Sequence, residues 1–427
     1  MLFAELAELS REQKERLLNR RRSHAEAEAA VRQILERVRR RGDEALLELT
    51  SELDGVELEE IRVPEEVLEE APGTLQPEVL EALEVARAAI EDFHRKQVPE
   101  DWSCSSAGAT LGMLHRPLDS VGCYVPGGRA SYPSTVLMCA VPAALAGVPR
   151  IAVCTPPGRH GYPAPLTLAA CRLAGVHEVY SIGGAQAVAA LAYGTESVRR
   201  VEKIVGPGNI YVTLAKQLVS GEVATDMPAG PSEVLIIADA SAEPELVALD
   251  MLAQAEHDPL AVCVLVSTSR EVAESTLRAL QEACKHAPSS AKEALEAGGA
   301  VLVARSIEEA VSFANRFAPE HLQIITQQDE QVLRMIRNAG SVFLGRYSPV
   351  ACGDYASGTN HVLPTSGYAR AYSGLSVHDF LKRITYQKLD PEGLERIARA
   401  AITLARAEGL EMHARSIEAR LERRYHD

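Results

Sequence analysis

Short apolar runs alternate with longer amphipathic stretches along the chain from Val121 onward. The apolar runs have the length of buried strands and end in turns rich in glycine or proline, and the stretches between them repeat apolar residues at helical spacing. The runs of a first set begin at Val121, Ile151, Glu178 and Lys203 and end at Pro126-Gly-Gly, Thr155-Pro-Pro-Gly, Gly183-Gly184 and Gly206-Pro-Gly. A second set follows the segment 226–232, with strands expected at Val234–Ala238, Val262–Ser267, Ala300–Val303, Leu322–Ile325 and Ser341–Leu344.

This repeated strand–turn–helix order predicts an α/β fold with two parallel-sheet units that carry helices on their faces. The sequence before these two units predicts helices. Met1 to Arg20 is charged and helix-patterned, and His24 to about Lys96 is rich in Glu, Arg, Leu and Ala, with Gly42 as a helix stop. From about Ser376 the helical pattern returns. A charged amphipathic tail of this kind needs a surface to pack on, so we expect a dimerisation arm.

The composition narrows the class of protein. The net charge of −15 argues against a nucleic acid or an anionic membrane as partner, because both repel it. The N-terminus lacks the basic head and apolar core of a signal peptide, and no apolar run is long enough to span a bilayer. The eight cysteines form no C-x-x-C pair and lie mostly in apolar runs, as expected in a reducing cytoplasm. These features are typical of a cytoplasmic metabolic enzyme.

Four polar clusters interrupt this regular pattern and offer nitrogen and oxygen ligands for a divalent metal. They are Gln254-Ala-Glu-His257, Glu320-His321, Asp354 through His361, and Glu408 through His413. Gln254 and His257 lie three apart on a predicted helix and so share one face, which suits zinc. The plainer interpretation is a helix C-terminus, where His257 caps the helix before Asp258-Pro259.

Glu320 and His321 follow Ala318-Pro319 and precede a predicted strand. Ionisable residues at the mouth of a parallel strand are placed as catalytic groups often are, although an ordinary solvated loop would look the same. The loop from Gly353 to His361 is the densest polar segment. Such a loop is usually functional, but a network of turn hydrogen bonds is the alternative.

Glu408 and His413 fall on the predicted C-terminal helix. Five residues apart, they lie about 140° apart around an ideal helix, so they reach one spot only if Gly409 loosens the turn. A solvated helix face is the plainer interpretation of this pair.

The glycine turns after the strands are candidates for anion binding, because helix N-termini there expose N–H groups. None matches G-x-G-x-x-G, since Gly206-Pro-Gly208-Asn-Ile-Tyr fails at the last position. Cys123 and Cys352 border the suspected site, so a thiol nucleophile is a further possibility.

Several of these motifs together closely resemble histidinol dehydrogenase, in order and over nearly the whole chain. They are Asp226-Met-Pro-Ala-Gly-Pro-Ser-Glu-Val, Gln254-Ala-Glu-His257, Ala318-Pro-Glu-His-Leu322 and Gly353-Asp-Tyr-Ala-Ser-Gly-Thr-Asn-His361. The resemblance implies NAD-dependent oxidation of L-histidinol to L-histidine through bound L-histidinaldehyde, the last steps of histidine biosynthesis. It also implies one zinc ion per subunit, and a homodimer whose sites are completed by the partner's C-terminal tail.

The resemblance assigns a role to individual residues. Zinc would be held by Gln254, His257, Asp354 and His413, and the acid–base pair would be Glu320 and His321. Substrate contacts would come from Ser232, His361 and Glu408 together with Gln254, His257, His321, Asp354 and His413. NAD contacts would come from Tyr124, Gln186 and Asn209.

The fold implied is two Rossmann-like parallel-sheet domains without the glycine fingerprint, plus N-terminal helices and a helical C-terminal dimerisation tail. The expected domains are an N-terminal helical segment 1–23, a metal and catalytic domain 24–123 with 232–375, an NAD-binding domain 124–231, and a tail 376–427.

Three alternatives to this function stay open from the residues alone. A zinc-dependent hydrolase or lyase could use the same ligands, although the glycine turns favour a nucleotide. An oxidation through Cys123 or Cys352 as a thiohemiacetal nucleophile is the second. The third is a metal-dependent scaffold without activity.

Overall fold

The computed structural model describes residues 1–20, 25–106, 108–127 and 131–424. Gly128, in the first predicted glycine turn, and His24, where the helical segment is expected to begin, therefore lie outside the described residues. The strands are β1 (Leu2–Glu5), β2 (Trp102–Ser106), β3 (Ala109–Pro117), β4 (Val121–Tyr124), β5 (Ile151–Thr155), β6 (Glu178–Ser181), β7 (Lys203–Val205), β8 (Ala224–Thr225), β9 (Glu233–Ala238), β10 (Val262–Ser267), β11 (Ala300–Val303), β12 (His321–Ile325), β13 (Ser341–Leu344) and β14 (Leu381–Leu389).

The helices cover most of the remaining chain. They are α1 (Arg11–Leu18), α2 (Ala25–Asp54), α3 (Glu65–Glu70), α4 (Pro77–Arg95), α5 (Pro133–Leu145), α6 (Pro165–Leu173), α7 (Gly184–Tyr193), α8 (Ile210–Val219), α9 (Pro244–Ala255), α10 (Arg270–Ala283), α11 (Ser289–Gly298), α12 (Ile307–Phe317), α13 (Asp329–Met335), α14 (Val350–Tyr355), α15 (Pro391–Ala407) and α16 (Glu411–Arg424). Short 3₁₀ turns lie at Leu6–Glu8, Ala71–Thr74, Tyr368–Arg370 and Val377–Phe380. No helix in the described part of the chain is long and apolar enough to cross a membrane.

The chain divides into two compact units. The first unit comprises Met1–Gln97 and Leu118–Phe380, and the second comprises Val98–Pro117 and Leu381–Asp427. The first unit carries both predicted α/β sheets.

Six strands of the described chain form the first sheet, in the order β1-β11-β10-β9-β12-β13, with every neighbouring pair parallel. The central strand β9 is buried along its whole length, as expected for a parallel sheet covered by helices on both faces. Residues of α9, α10 and α11 pack on one side, and residues of α1, α12 and α13 on the other.

The second sheet contains five strands of the described chain in the order β6-β5-β4-β7-β8, again all parallel. The chain runs from β4 through β5 to β6 on one side, and then returns to the other side of β4 at β7. The strand order therefore reverses between β4 and β7. A reversal of this kind opens a crevice beyond the carboxyl ends of the strands, where α/β proteins bind ligands.

Most of the predicted elements of the first unit are confirmed. The strands of both sets lie within a residue or two of their expected bounds, and α2 is interrupted at Gly42, which has a φ of +53°. A Cβ there would meet only the flexible carboxylate end of Glu196, so glycine is required for the backbone conformation. The helix resumes beyond this residue and continues to Asp54. Helix α2 packs on α7 and α8 beside the second sheet.

The N-terminal segment was predicted as helix throughout, and this is wrong for Leu2–Glu5. Those residues form β1, which pairs with β11 from Leu2 beside Ala300 to Glu5 beside Val303. The partner strand is almost three hundred residues away, so no local periodicity could reveal the pairing. Helix α1 is confirmed behind it, with Ser10 and Gln13 forming a capping box.

The second unit contains an antiparallel sheet that the sequence did not predict. Over the described residues its strands run in the order β14-β3-β2, and β14 pairs with β3 from Leu381 to Leu389. The prediction of helix from about Ser376 is therefore wrong over these nine residues. The helical tail itself is confirmed from Pro391 onward, where Asp390 caps α15 by accepting a hydrogen bond from the N–H of Gly393 at 2.7 Å.

Candidate active site

Glu320 and His321 lie at the amino end of β12, next to β9 in the middle of the first sheet. Helix α12 ends at Phe317, the C-cap residue Ala318 has a left-handed φ of +52°, and Pro319 then leads into the strand. The general rule for α/β proteins places ligands at the carboxyl ends of strands. Glu320 and His321 lie at the end of a strand, as expected. It is the amino end, however, and not the carboxyl end that the rule gives.

Both side chains are held by the backbone of Glu233, the first residue of β9. The N–H of Glu233 donates to Oε2 of Glu320 at 2.8 Å, and the carbonyl of Glu233 lies 3.2 Å from Nδ1 of His321. A carbonyl only accepts hydrogen bonds, so Nδ1 of His321 carries the proton in this contact. In the neutral ring, Nε2 is then the atom with an available lone pair.

Burial shifts both groups toward their neutral forms. Desolvation raises the pKa of Glu320 well above its usual value, against the lowering effect of the Glu233 N–H. Desolvation also lowers the pKa of His321 to about 3. An imidazole that stays neutral at physiological pH can accept a proton, and a carboxyl group with a raised pKa is suited to exchanging one.

Asp354 and His361 complete what we term the acid–base cluster, which consists of Glu320, His321, Asp354 and His361. Oδ1 of Asp354 lies 3.8 Å from Nε2 of His321, and the carbonyl of Asp354 accepts from Nδ1 of His361 at 2.9 Å. Desolvation raises the pKa of Asp354 to about 7 and lowers that of His361 to about 4. Four titratable groups with shifted pKa values in one place are typical of a catalytic site.

The polar segment 353–361 is helix at its start and turn at its end. Gly353 and Asp354 belong to the short helix α14, whereas Asn360 has a structural role. The amide of Asn360 donates to the carbonyl of Met138 at 2.7 Å and accepts from the N–H of Val362 at 2.9 Å. The interpretation as a network of turn hydrogen bonds therefore applies to Asn360, and a functional role of Asp354 and His361 stays a prediction.

Gln254 lies in the last turn of α9 and is 4% exposed. Within the described residues, its buried Oε1 has no hydrogen-bond donor. Buried amide oxygens nearly always accept a hydrogen bond. One without a donor is therefore a candidate to bind a ligand. The prediction that Gln254 and His257 share a helix is wrong, because α9 ends at Ala255.

His257 is exposed just beyond that helix end, and desolvation lowers its pKa. A positive charge on His257 would lower the pKa of His321 and that of His361, so its ring lies within electrostatic reach of the acid–base cluster. The amide, imidazole and carboxylate of Gln254, His257 and Asp354 are a donor set that borderline divalent metals accept.

No three His, Cys, Asp or Glu side chains converge as a metal site within the described ranges. The composition of the expected ligand set explains this. One of its members is a glutamine, an amide that lies outside the four residue types of such a group. The residues of the first unit thus fit a metal in chemistry, with the unsatisfied Gln254 oxygen as the clearest sign.

Glu408 and His413 do not share one helix, contrary to the prediction. Helix α15 ends at Ala407 and α16 begins at Glu411, with Gly409 between them at a φ of +77°. Only glycine adopts this backbone readily, so the break follows from the sequence. The estimate of about 140° between the two side chains for an unbroken helix therefore does not apply.

Ser232 directly precedes β9 and is half-buried, and its carbonyl accepts from the N–H of Val262 at 3.0 Å. The next residue, Glu233, forms a bidentate ion pair with Arg20. Nε of Arg20 lies 2.5 Å from Oε1 of Glu233, and Nη2 of Arg20 lies 3.0 Å from Oε2. The Arg20 guanidinium also lies 3.6 Å from the centre of the Phe317 ring. This pair anchors the strand end that holds Glu320 and His321.

The three residues expected to contact NAD lie at the carboxyl edge of the second sheet. Tyr124 ends β4, and its hydroxyl accepts from the N–H of Gly184 at 3.1 Å. Gln186, in the first turn of α7, keeps a buried Oε1 without a donor among the described residues. Asn209 caps α8, accepting from Tyr211 and from the following residue at 3.0 and 3.2 Å. These features frame the crevice at the strand-order reversal.

Thr135 connects this edge to the acid–base cluster. It lies in the first turn of α5, just after β4, and its hydroxyl is 3.2 Å from Nε2 of His361. Nδ1 of His361 donates to a carbonyl, so Nε2 accepts from the Thr135 hydroxyl. The carboxyl edge of the second sheet therefore meets the amino edge of the first at this contact.

Sequence reasoning missed Glu233 and Thr135. The first resembles a routine strand residue and acts through its backbone. Thr135 resembles a helix start. Their roles depend on contacts with residues 87 and 226 positions away, and no local signal reveals these.

A thiol nucleophile has little support at Cys123, which is fully buried in β4 beside Cys139. Five of the eight cysteines are buried, and desolvation raises the pKa of Cys154, Cys171 and Cys263. Such thiols are unreactive packing groups. Cys352 is exposed on α14.

Comparison with known proteins identifies close relatives. The family model "Histidinol dehydrogenase" matches residues 18–421. A histidinol dehydrogenase of Methanothermobacter thermautotrophicus is 54% identical over 394 residues, covering 92% of each chain. One of Methanocaldococcus jannaschii is 50% identical over 427 residues, covering 99% of each. The crystal structure of histidinol dehydrogenase from Elizabethkingia anophelis superposes with a TM-score of 0.94 at 39% identity, covering 99% of this chain and 98% of that one.

Proposed function

This chain belongs to the histidinol dehydrogenase family, and we propose that it oxidises L-histidinol to L-histidine with two NAD, through bound L-histidinaldehyde. The observation that carries this proposal is the neutral His321, with its Nε2 directed toward Asp354, beside the buried Glu320. The overall change consumes one water and releases two NADH and three protons. The chain's residues must therefore accept protons repeatedly and admit one water.

His321 acts as the general base. Its Nδ1–H is bound to the Glu233 carbonyl, so Nε2 accepts the hydroxyl proton of the substrate as the hydride leaves the adjacent carbon. In the second oxidation the same atom accepts a proton from the hydrated aldehyde. NAD, when bound, supplies the hydride acceptor.

Glu320 activates the water that the second step consumes. Desolvation raises the pKa of its carboxyl group, which makes the ionised form a stronger base, and one of its oxygens is held by the Glu233 N–H. The other oxygen then takes a proton from water as the aldehyde is hydrated. Burial of this group keeps bulk water away from the reactive aldehyde.

Gln254, His257 and Asp354, with His413, would hold one zinc ion per subunit. The ion would supply Lewis acidity and fix the substrate's imidazole and amine, which orients the hydroxymethyl group. The unsatisfied Oε1 of Gln254 and the donor chemistry support this assignment.

Substrate contacts are proposed for Ser232, His361 and Glu408, in addition to the zinc ligands and His321. NAD contacts are proposed for Tyr124, Gln186 and Asn209, beside the glycine turns of the second sheet. His361 supports the assignment by its bond to Thr135, because this links the substrate side to the nucleotide side.

We further propose a cytoplasmic homodimer in which the partner's C-terminal tail completes each site. Glu408 and His413 belong to the second unit, whereas the acid–base cluster belongs to the first. Exposed apolar residues on that unit, among them Trp102, Leu404 and Met412, support its use as an interface. The expected domains, including the NAD-binding domain 124–231, also stay proposals.

Product analysis tests the function. Purified protein with L-histidinol, zinc and NAD should yield L-histidine by chromatography, and omission of NAD should abolish it. Turnover of L-histidinol without NADH would contradict the proposal and return the chain to the hydrolase or lyase alternative.

A further inference from the structure

A buried ion pair holds the glycine turn that follows β7. The N–H of Gly206 donates to Oδ2 of Asp226 at 2.7 Å, and its carbonyl accepts from Nζ of Lys216 at 2.7 Å. Nζ of Lys216 also lies 2.5 Å from Oδ1 of Asp226. The side chains of Lys216 and Asp226 are 5% and 0% exposed. Both peptide groups that flank Gly206 are therefore fixed by one Lys–Asp pair.

This glycine lies where the strand order of the second sheet reverses. Its φ is +115°, and a Cβ would collide with the carbonyl of Tyr124 at the end of β4. Three residues later Asn209 caps α8. The Gly206 turn thus sets the spacing between two of the residues that we assign to the nucleotide.

The Lys–Asp pair is an expensive way to stabilise a fold. Removing two charges from water costs several kcal/mol each, and apolar residues of similar volume often stabilise a core as well or better. What an apolar pair cannot do is hold a backbone N–H and a carbonyl at once. The arrangement is therefore suited to orienting this turn.

We propose that Lys216 and Asp226 are positioning residues for NAD, which fix the Gly206 turn so that the crevice between β4 and β7 is preformed. Neither residue is assigned to touch the nucleotide. The inference rests on the proposed binding of NAD at this edge. It predicts that loss of the pair weakens NAD binding and leaves L-histidinol binding intact.

A matched pair offers the control. Lys203 begins β7 and lies 3.1 Å from Asp379, at the opposite end of the same strand from Gly206. Lys203→Met therefore breaks a Lys–Asp pair on β7 without removing a hydrogen bond to Gly206, and the Lys203 charge acts on Asp226 only through space. The test variants are Lys216→Met and the double replacement Lys216→Met/Asp226→Leu, which leaves no unpaired buried charge.

The dissociation constants of NAD and of L-histidinol are measured by titration of zinc-loaded full-length protein. KM and kcat are measured for the same variants. Both test variants should weaken NAD binding by at least about tenfold, with L-histidinol binding within about twofold of wild type. Lys203→Met should change neither. Equal NAD affinity in the double variant and in wild type would overturn the inference, as would parallel loss of both ligands. If wild type fails to bind NAD, the proposed function fails instead.

Discussion

Glu320 accepts a hydrogen bond of 2.8 Å from the backbone N–H of Glu233, a residue 87 positions earlier in the chain. The carbonyl of the same Glu233 bonds to His321. One residue of β9 thus orients both members of the acid–base pair, through backbone atoms that are themselves fixed by the sheet. The fold therefore preorganises the pair, so the entropy cost of ordering the two side chains does not add to the activation free energy of the reaction.

Replacement of Glu320 by Gln separates the two oxidations. The amide keeps the volume and can still accept from the Glu233 N–H, but it cannot take a proton from water. Oxidation of L-histidinaldehyde should fall by about 10²–10⁴-fold. The first oxidation, measured as NADH formed in a single turnover from L-histidinol, should stay near wild type. Equal loss in both half-reactions would contradict the assigned role.

The pH dependence of the first oxidation should lack an acid limb from His321 near pH 6.5. Because burial lowers the pKa of His321 to about 3, the ring stays neutral and able to accept a proton down to low pH. His321→Gln should slow both half-reactions at every pH by a similar factor. The check is single-turnover NADH formation from pH 5 to 8. A fall with a midpoint near 6.5 that disappears in His321→Gln would show that this imidazole titrates at its ordinary value.

Arg20→Met should destabilise the protein strongly, because the carboxylate of Glu233 would be left buried without its cation. Removal of one partner of a buried pair costs about 3–5 kcal/mol of the free energy of unfolding. The double variant Arg20→Met/Glu233→Gln should recover part of that loss. Denaturant unfolding measures both. The exposed pair Arg11–Glu15 is the control, and Arg11→Met should leave the unfolding midpoint unchanged. A wild-type midpoint in Arg20→Met would refute the anchor.

Acidification should weaken the fold partly through His94. This ring is fully buried, with Nδ1 2.7 Å from Oε1 of Gln97 and Nε2 3.4 Å from Nδ2 of Asn360, and desolvation lowers its pKa. Below about pH 6.5 the unfolded chain binds a proton that the folded ring does not, so stability falls as pH falls, by at most about 1.4 kcal/mol per pH unit.

His94→Gln should therefore flatten the dependence of the unfolding free energy on pH between about 5 and 6.5. His177→Gln, at an exposed histidine, is the control for a His-to-Gln replacement outside the core. Identical slopes for wild type and His94→Gln would show that the pKa of His94 is the same in the folded and unfolded states.

The parts of the fold that follow from local periodicity could be predicted from the sequence. Strands such as Val262–Ser267 are continuous apolar runs between turn signals, and the structure has them at the expected residues. The strand Leu381–Leu389 was missed because it is largely exposed and pairs with residues more than 260 positions away. Its strand signal is limited to the short run Ile384-Thr-Tyr386, which is flanked by basic and polar residues.

The candidate site also has residues that local sequence reveals and residues that it does not. His321 and Asp354 stand out as ionisable residues in an apolar context, so residue types alone identify them. The supporting contacts of Glu233, Thr135 and Lys216 involve backbone atoms or distant partners, which only the folded chain brings together. The position of His321 at the amino end of its strand also depends on the order of the strands, which local pattern does not determine.

The most direct test of the central claim is the amount of NADH produced per L-histidinol consumed, with and without a chelator, on purified full-length protein. The account predicts two NADH per substrate, loss of activity on chelation, and recovery when zinc is restored. One NADH per substrate with release of the aldehyde, or no NADH with zinc present, would contradict a four-electron oxidation at this site.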